Sequence, residues 1–153
     1  MKYPSILRRA DGFTLGEALI TLAIFLILGV ATTPFTVNFY QRYQLINERN
    51  LFVSLVREAR TMSLAGNGAT DHGVHIDTTQ FTIFEGTSYE GRNQAKDQIF
   101  PRETKVLVAG PADSIFKNMI GFISPAVPIT YTMSNGAKQE VITINYAGSI
   151  DWQ

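Results

Sequence analysis

Residues 12–35 read GFTLGEALITLAIFLILGVATTPF, and from Ala18 to Gln41 no side chain carries a charge. As a helix rising about 1.5 Å per residue, this run is long enough to cross a hydrocarbon core of about 30 Å. Residues 13–37 are therefore expected to form one transmembrane segment. The leader ahead of it, MKYPSILRRADG, holds Lys2, Arg8 and Arg9 against Asp11. Basic residues stay on the cytoplasmic side of a first span, which puts the N-terminus in the cytoplasm and everything after Pro34 on the far side.

Helical periodicity does not stop where the span does. Leu45, Phe52, Leu55, Val56, Ala59 and Met62 recur at spacings of three, four and seven, with Asn50, Ser54, Arg57, Glu58 and Thr61 on the other side. That is the pattern of a helix covering a core with one face, so residues 38–66 read as an amphipathic continuation. Gly66, Asn67 and Gly68 supply the stop, because Gly and Asn tolerate the left-handed conformation that closes a helix. A helix over 14–65 would be about 78 Å long, beyond what a small domain buries. Pro34 removes one backbone hydrogen bond inside it, and a kink is expected there.

From Gly73 the pattern changes to short alternating runs, GVHID, QFTIFEG, TKVLVAG, PITYTM, EVITINY and SIDW, separated by Gly, Pro, Asn and Ser. These read as strands of a single antiparallel sheet, with Thr78-Thr79 joining the first two tightly and Asn135-Gly136 as a hairpin turn. The polar stretch 86–103 reads as a long loop. The expected fold class is α+β, a long N-terminal helix packed by its second half on a β-rich body at 67–153, with 38–153 forming one folded domain.

Composition narrows the chemistry. The net charge is zero, but residues 66–153 carry 6 basic against 9 acidic side chains. A mildly acidic body argues against nucleic acid as a partner, since phosphate binding needs clustered Lys and Arg. There is no cysteine, which excludes a disulfide framework, a thiolate zinc site and a Cys nucleophile. His72 and His75 have the spacing of a ligand pair but no evident third ligand, so they are taken as loop and strand histidines and no metal or cofactor is assigned. No Walker, G-x-S-x-G or G-x-G-x-x-G pattern occurs and the carboxylates are scattered, so an enzyme is not expected. Phe81, Phe84, Tyr89, Tyr131, Tyr146 and Trp152 fall at strand spacing and are assigned to the core.

Gly12-Phe13-Thr14-Leu15-Gly16-Glu17, set between a basic leader and an apolar helix, resembles the processing site of type IV prepilins and pseudopilins. The resemblance implies cleavage by a prepilin peptidase between Gly12 and Phe13, methylation of the new N-terminus, a kink at Pro34, and an assembly role for Glu17 through the N-terminal amine of a neighbouring subunit. A glycine before the cut lets the peptidase approach the backbone closely. Gly16 departs from the branched apolar residue usual in the family. Read without the family, a carboxylate at the edge of a span is costly unless paired, or it faces the positive end of the helix dipole. The body, from NLFVSLVREARTMSLAGN to QFTIFEG, looks like the H-type minor pseudopilins of type II secretion and the fimbrial T-type minor pilins.

These likenesses imply a minor subunit of a pseudopilus or pilus, held in the inner membrane with its body in the periplasm before it joins other pilin subunits in a filament. A DNA-uptake or adhesive tip subunit is the alternative. Some T-type members bind DNA through a basic C-terminal segment, but here no Lys or Arg follows Lys138. A third reading, a secreted soluble protein, would use Gly29-Val30-Ala31 as an ordinary signal-peptide site.

Overall fold

The structure, a computed structural model, describes residues 12–153 except for the side chains of residues 31–35. The leader ahead of Gly12 lies outside those residues, as does the Pro34 side chain. The chain divides into two compact units, Met1–Asn38 and Phe39–Gln153.

One helix, α1 (Leu15–Leu64), begins in the first unit and ends in the second, one residue inside each end of the span expected for it. Position 34 lies within this single helical element; the expected kink depends on a side chain that is not described. In the first unit every side chain from Gly12 to Val30 is exposed. Among the described residues no helix is long and apolar enough to cross a membrane. The span expected over 13–37 runs through the undescribed side chains at 31–35.

In the second unit the amphipathic pattern becomes packing. Leu45, Phe52, Leu55, Val56 and Ala59 are buried as their spacing requires, and Val53 joins them, while Met62 packs at the edge of the core. They face two antiparallel sheets where one was expected. The first contains β1 (His72–Ile76), β2 (Gln80–Glu85), β3 (Gln98–Pro101), β5 (Asp113–Phe116) and β6 (Ile123–Ser124) in the order β3-β2-β1-β5-β6. The second contains β4 (Leu107–Ala109), β7 (Ile129–Asn135), β8 (Lys138–Ile144) and β9 (Ile150–Trp152) in the order β4-β7-β8-β9. The division follows from β5, which pairs with β1 and not with its sequence neighbour β4.

The two hairpins legible in the sequence are present. Between β1 and β2 the Asp77 N–H donates to Gln80 O at 2.9 Å, and the Thr78 amide and hydroxyl hold the Asp77 carboxyl below its ordinary range. Between β7 and β8 the register pairs Asn135 with Lys138, and Gly136 takes φ +61°, a backbone conformation that a side chain disfavours. The expected loop 86–103 is interrupted, since β3 pairs with β2 from Gln98 to Pro101.

Phe52 is where the layers meet. Its ring lies 5.4 Å from Phe81 of the first sheet and 4.9 Å, edge-on, from Tyr131 of the second. Tyr131 is fully buried, and its hydroxyl shares a 2.6 Å hydrogen bond with Ser114 Oγ of the first sheet. Burial pushes its phenol from 10.0 up to about 12, against the opposing effect of the Ser114 bond.

A buried ion pair completes the joint. Arg102 Nε donates to Glu48 Oε1 at 3.0 Å, with both side chains nearly inaccessible. Glu48 Oε2 accepts the Glu103 N–H at 3.1 Å. Arg102 also donates to Asp77 O at 2.9 Å and Val106 O at 2.6 Å. Such a pair offsets its desolvation only when the remaining donors and acceptors are met, as they are here. It ties α1 to the connection between β3 and β4, where the chain leaves one sheet for the other.

Phe52→Ala should lower the unfolding free energy by about 3–5 kcal/mol, read from denaturant midpoints at unchanged m-value. Tyr131 binds its proton more tightly folded than unfolded. Its contribution is therefore complete below pH about 10 and lost as the pH rises through about 12. Midpoints measured across that window should fall more steeply for the wild type than for Tyr131→Phe; parallel slopes would show that Tyr131 is not the group responsible.

Candidate functional site

The start of α1 gathers three of the residues that the sequence singled out. Thr14 stands just before the helix and Glu17 in its first turn. The Glu17 N–H donates to Thr14 Oγ1 at 3.2 Å, and Glu17 Oε2 accepts both the Thr14 N–H and the Thr14 hydroxyl at 2.9 Å. This is a capping box, in which side chains satisfy amides that the helix itself leaves open. The first turn is then continued by the Ala18 N–H donating to Thr14 O at 3.2 Å and by the Thr21 hydroxyl donating to Glu17 O at 2.6 Å.

Gly12 and Phe13 lie outside this network. Among the described residues, chain neighbours aside, no atom stands within 4 Å of where a Cβ on Gly12 would be, and Phe13 is 88% exposed. The described fold therefore gives no packing reason for glycine at position 12, and the Gly12–Phe13 peptide is open to solvent. Gly12, Phe13, Thr14 and Glu17 together line an open hollow of about 310 Å³. Pro34 is not brought to this site. Sequence reasoning had Glu17 but passed over Thr14, although T-x-x-E ahead of an apolar run is the capping-box signature.

The other candidates resolve into structure. His72 and His75 are three apart on β1, so the strand turns them to opposite faces, and they do not converge on one ion. His75 Nδ1 lies 2.6 Å from Asp113 Oδ1, and its ring stacks on Tyr89 at 3.5 Å. The Arg92 guanidinium covers the other part of that cluster, 3.6 Å from the Tyr89 ring. Arg92 is held by Asp97 Oδ2 at 2.8 Å, and its charge is stabilised mainly by that carboxylate. Phe84 meets Tyr89 edge-on at 5.5 Å. Among the described residues no group of His, Asp or Glu could hold a metal.

The aromatic assignment needs correction at three positions, the first being Tyr89, which is only half-buried. Phe81, Phe84 and Tyr131 are buried, but Tyr146 is 53% and Trp152 43% exposed. Tyr146 lies in the turn between β8 and β9, and Trp152 on the edge strand β9, so strand spacing does not give either a covering layer. Trp152 instead carries Arg49 at 5.7 Å and Arg57 at 5.5 Å over its ring.

No protein-family model matches this chain, and no curated protein matches it. Among solved structures it is similar to the minor pseudopilin EpsH from the Type 2 Secretion System of Vibrio cholerae, at 15% sequence identity and a TM-score of 0.53. The match covers 72% of this chain and 96% of that one. At this identity the likeness establishes the fold: an N-terminal helix packed on antiparallel sheets, α+β, in the pseudopilin manner.

Proposed function

We propose that this chain is a minor pilin-like subunit of a type IV filament-like machine, with a structural and assembly role. The observation that carries the reading is the unequal use of α1. Its second half closes a pseudopilin-like body, while its first half leaves every described side chain uncovered behind an open Gly12–Phe13 bond. In water such a surface is a liability. Among lipid tails, and later among like helices, it is a fitting one. The solved neighbour belongs to a type II secretion system, which favours a pseudopilus over a pilus.

On this reading a prepilin peptidase cuts after Gly12 and leaves Phe13 as the methylated N-terminus. The body lies in the periplasm and residues 13–37 in the inner membrane until other pilin subunits draw the chain into a filament. The capping box survives the cut, because the Thr14 N–H belongs to the peptide that follows Phe13. Within a filament core Glu17 loses water, and a carboxylate there needs a cation. The Phe13 amine of a neighbour is the nearest basic group the helix offers, since from Ala18 to Gln41 nothing is charged.

Intact mass and N-terminal sequencing of membrane-extracted protein should return Phe13. A mature chain starting at Thr32 would instead establish an ordinary signal peptide. Two substitutions separate the roles of Glu17. Glu17→Gln keeps the capping box, which accepts Gln, but removes the charge; Glu17→Ala removes both. Both should be processed and folded yet lost from filaments. Wild-type incorporation of Glu17→Gln would reduce Glu17 to a helix cap.

A further inference from the structure

The second unit begins at Phe39, and its first residues read FYQRY, an aromatic run with one cation. The expected span ends at position 37, so Tyr40 and Tyr43 follow it by about 4.5 and 9 Å at 1.5 Å per residue. Phe39 is 75% exposed, Tyr40 54% and Tyr43 56%. On a helix these three rings fall within about 100° of arc, with Arg42 beside them. Gln44, Leu45 and Glu48 turn the other way and are buried. The aromatic arc is the side that the body leaves uncovered.

Folding brings a second cation to the same level from the far part of the chain. The Asn135 side-chain amide donates to Gln41 O at 3.3 Å and to Gln44 Oε1 at 3.2 Å. Gly136 lies against Gln41, whose Oε1 would stand 3.0 Å from a Cβ there. The β7–β8 turn is thereby fastened beside the helical turn that carries Arg42, and Lys138, which closes it, is exposed. Among the described residues neither Arg42 nor Lys138 is in an ion pair. The carboxylates nearby are withdrawn. Glu48 is buried with Arg102, Glu140 is held by Arg49, and Glu103 is half-buried in the hollow that Tyr40 and Tyr43 line.

Rings with a hydroxyl tip, set just past an apolar run and flanked by cations, have the composition of a membrane–water boundary. There the ring body meets acyl chain, the hydroxyl stays wet, and Lys and Arg meet phosphate. We propose that this end of the body is a lipid-contacting face: Phe39, Tyr40 and Tyr43 sit in the headgroup layer while Arg42 and Lys138 bind the phosphates of anionic phospholipids. Charge complementarity favours lipid as the occupant, since the two cations lack partners and the carboxylates beside them are engaged or recessed. Continuity favours it too, because the face begins two residues after the expected span. The inference rests on the membrane-held state given under the proposed function, and it sets the depth at which the body is held there. Drawing the chain into a filament breaks these contacts, so they oppose its release.

Trp152 is the sole tryptophan, so a Trp152→Phe background lets one introduced tryptophan report depth. The full-length chain is reconstituted in vesicles of phosphatidylcholine and phosphatidylglycerol whose lipids carry bromines either just below the headgroup or near the chain ends. Tyr43→Trp should lose emission to the shallow bromines and little to the deep ones. Phe25→Trp, inside the expected span, should show the reverse. Phe122→Trp should lose none, since its loop packs on Leu64, about 32 Å along α1 from Tyr43. Omitting phosphatidylglycerol should weaken the quenching of Tyr43→Trp. Arg42→Gln with Lys138→Gln should abolish that dependence at an unchanged thermal midpoint, both side chains being exposed. If Tyr43→Trp is quenched as little as Phe122→Trp while Phe25→Trp is quenched, the proposal is overturned and the aromatic arc belongs to a protein partner. Dependence on phosphatidylglycerol that survives the double substitution overturns the role of the two cations. Escape of Phe25→Trp as well shows the span itself to be wrong, so failure of the proposed function is read separately.

Discussion

The Phe52 ring is the constraint on which the folded unit depends. A helix with half its circumference apolar must be covered, and one sheet with a single buried face would suffice if the stripe were narrow. Here the buried arc runs from Leu45 through Val53 and Leu55 to Ala59, wider than one sheet covers. The chain answers with two sheets that share the helix as their common wall. Phe52 touches an aromatic ring from each, and the Ser114–Tyr131 bond joins the sheets to each other. Removing that ring would open all three layers at one point.

The polar interior follows from the same geometry. Where the chain passes from β3 to β4 it must leave one sheet and enter the other beneath α1, and its backbone groups lose water there. Arg102 supplies donors to Val106 O in that passage and to Asp77 O in the β1–β2 turn, while Glu48 accepts a backbone amide and neutralises the guanidinium. The pair is thus better read as a fastening for irregular backbone than as a source of net stability, since a buried ion pair by itself tends to break even. Ser63 plays a similar part at the far end of the helix, accepting the His72 N–H and donating to Phe116 O.

What the sequence made legible was periodic or locally signalled. The α1 boundaries, the apolar stripe and the Asn135-Gly136 hairpin rest on residues within a few positions of each other. The second sheet did not, because the decision that β5 pairs with β1 across nearly forty residues leaves no local pattern. β3 was hidden in a polar stretch, since an edge strand whose residues are mostly exposed needs no alternation. Gln44 and Glu48 are buried although polar, and counting apolar residues alone drew the stripe too narrow. At the helix start the expectation drawn from the sequence omitted Thr14, whose T-x-x-E spacing carries its own signal.

That omission changes how Glu17 is to be understood. Capping and charge pairing look like rival explanations for one carboxylate, yet the geometry lets both hold. The two bonds from Thr14 fall on the same oxygen, Oε2, whereas an ionised carboxylate has room for about four donors. A cap that uses one oxygen restrains the side chain at the rim of the hollow beside Phe13 and leaves Oε1 without a bond from Thr14. A carboxylate held this way loses less conformational entropy on meeting an amine than a free one would. On the proposed filament reading, Thr14 would act on assembly through Glu17, as a positioning residue, with a single intramolecular turn preparing an intermolecular contact.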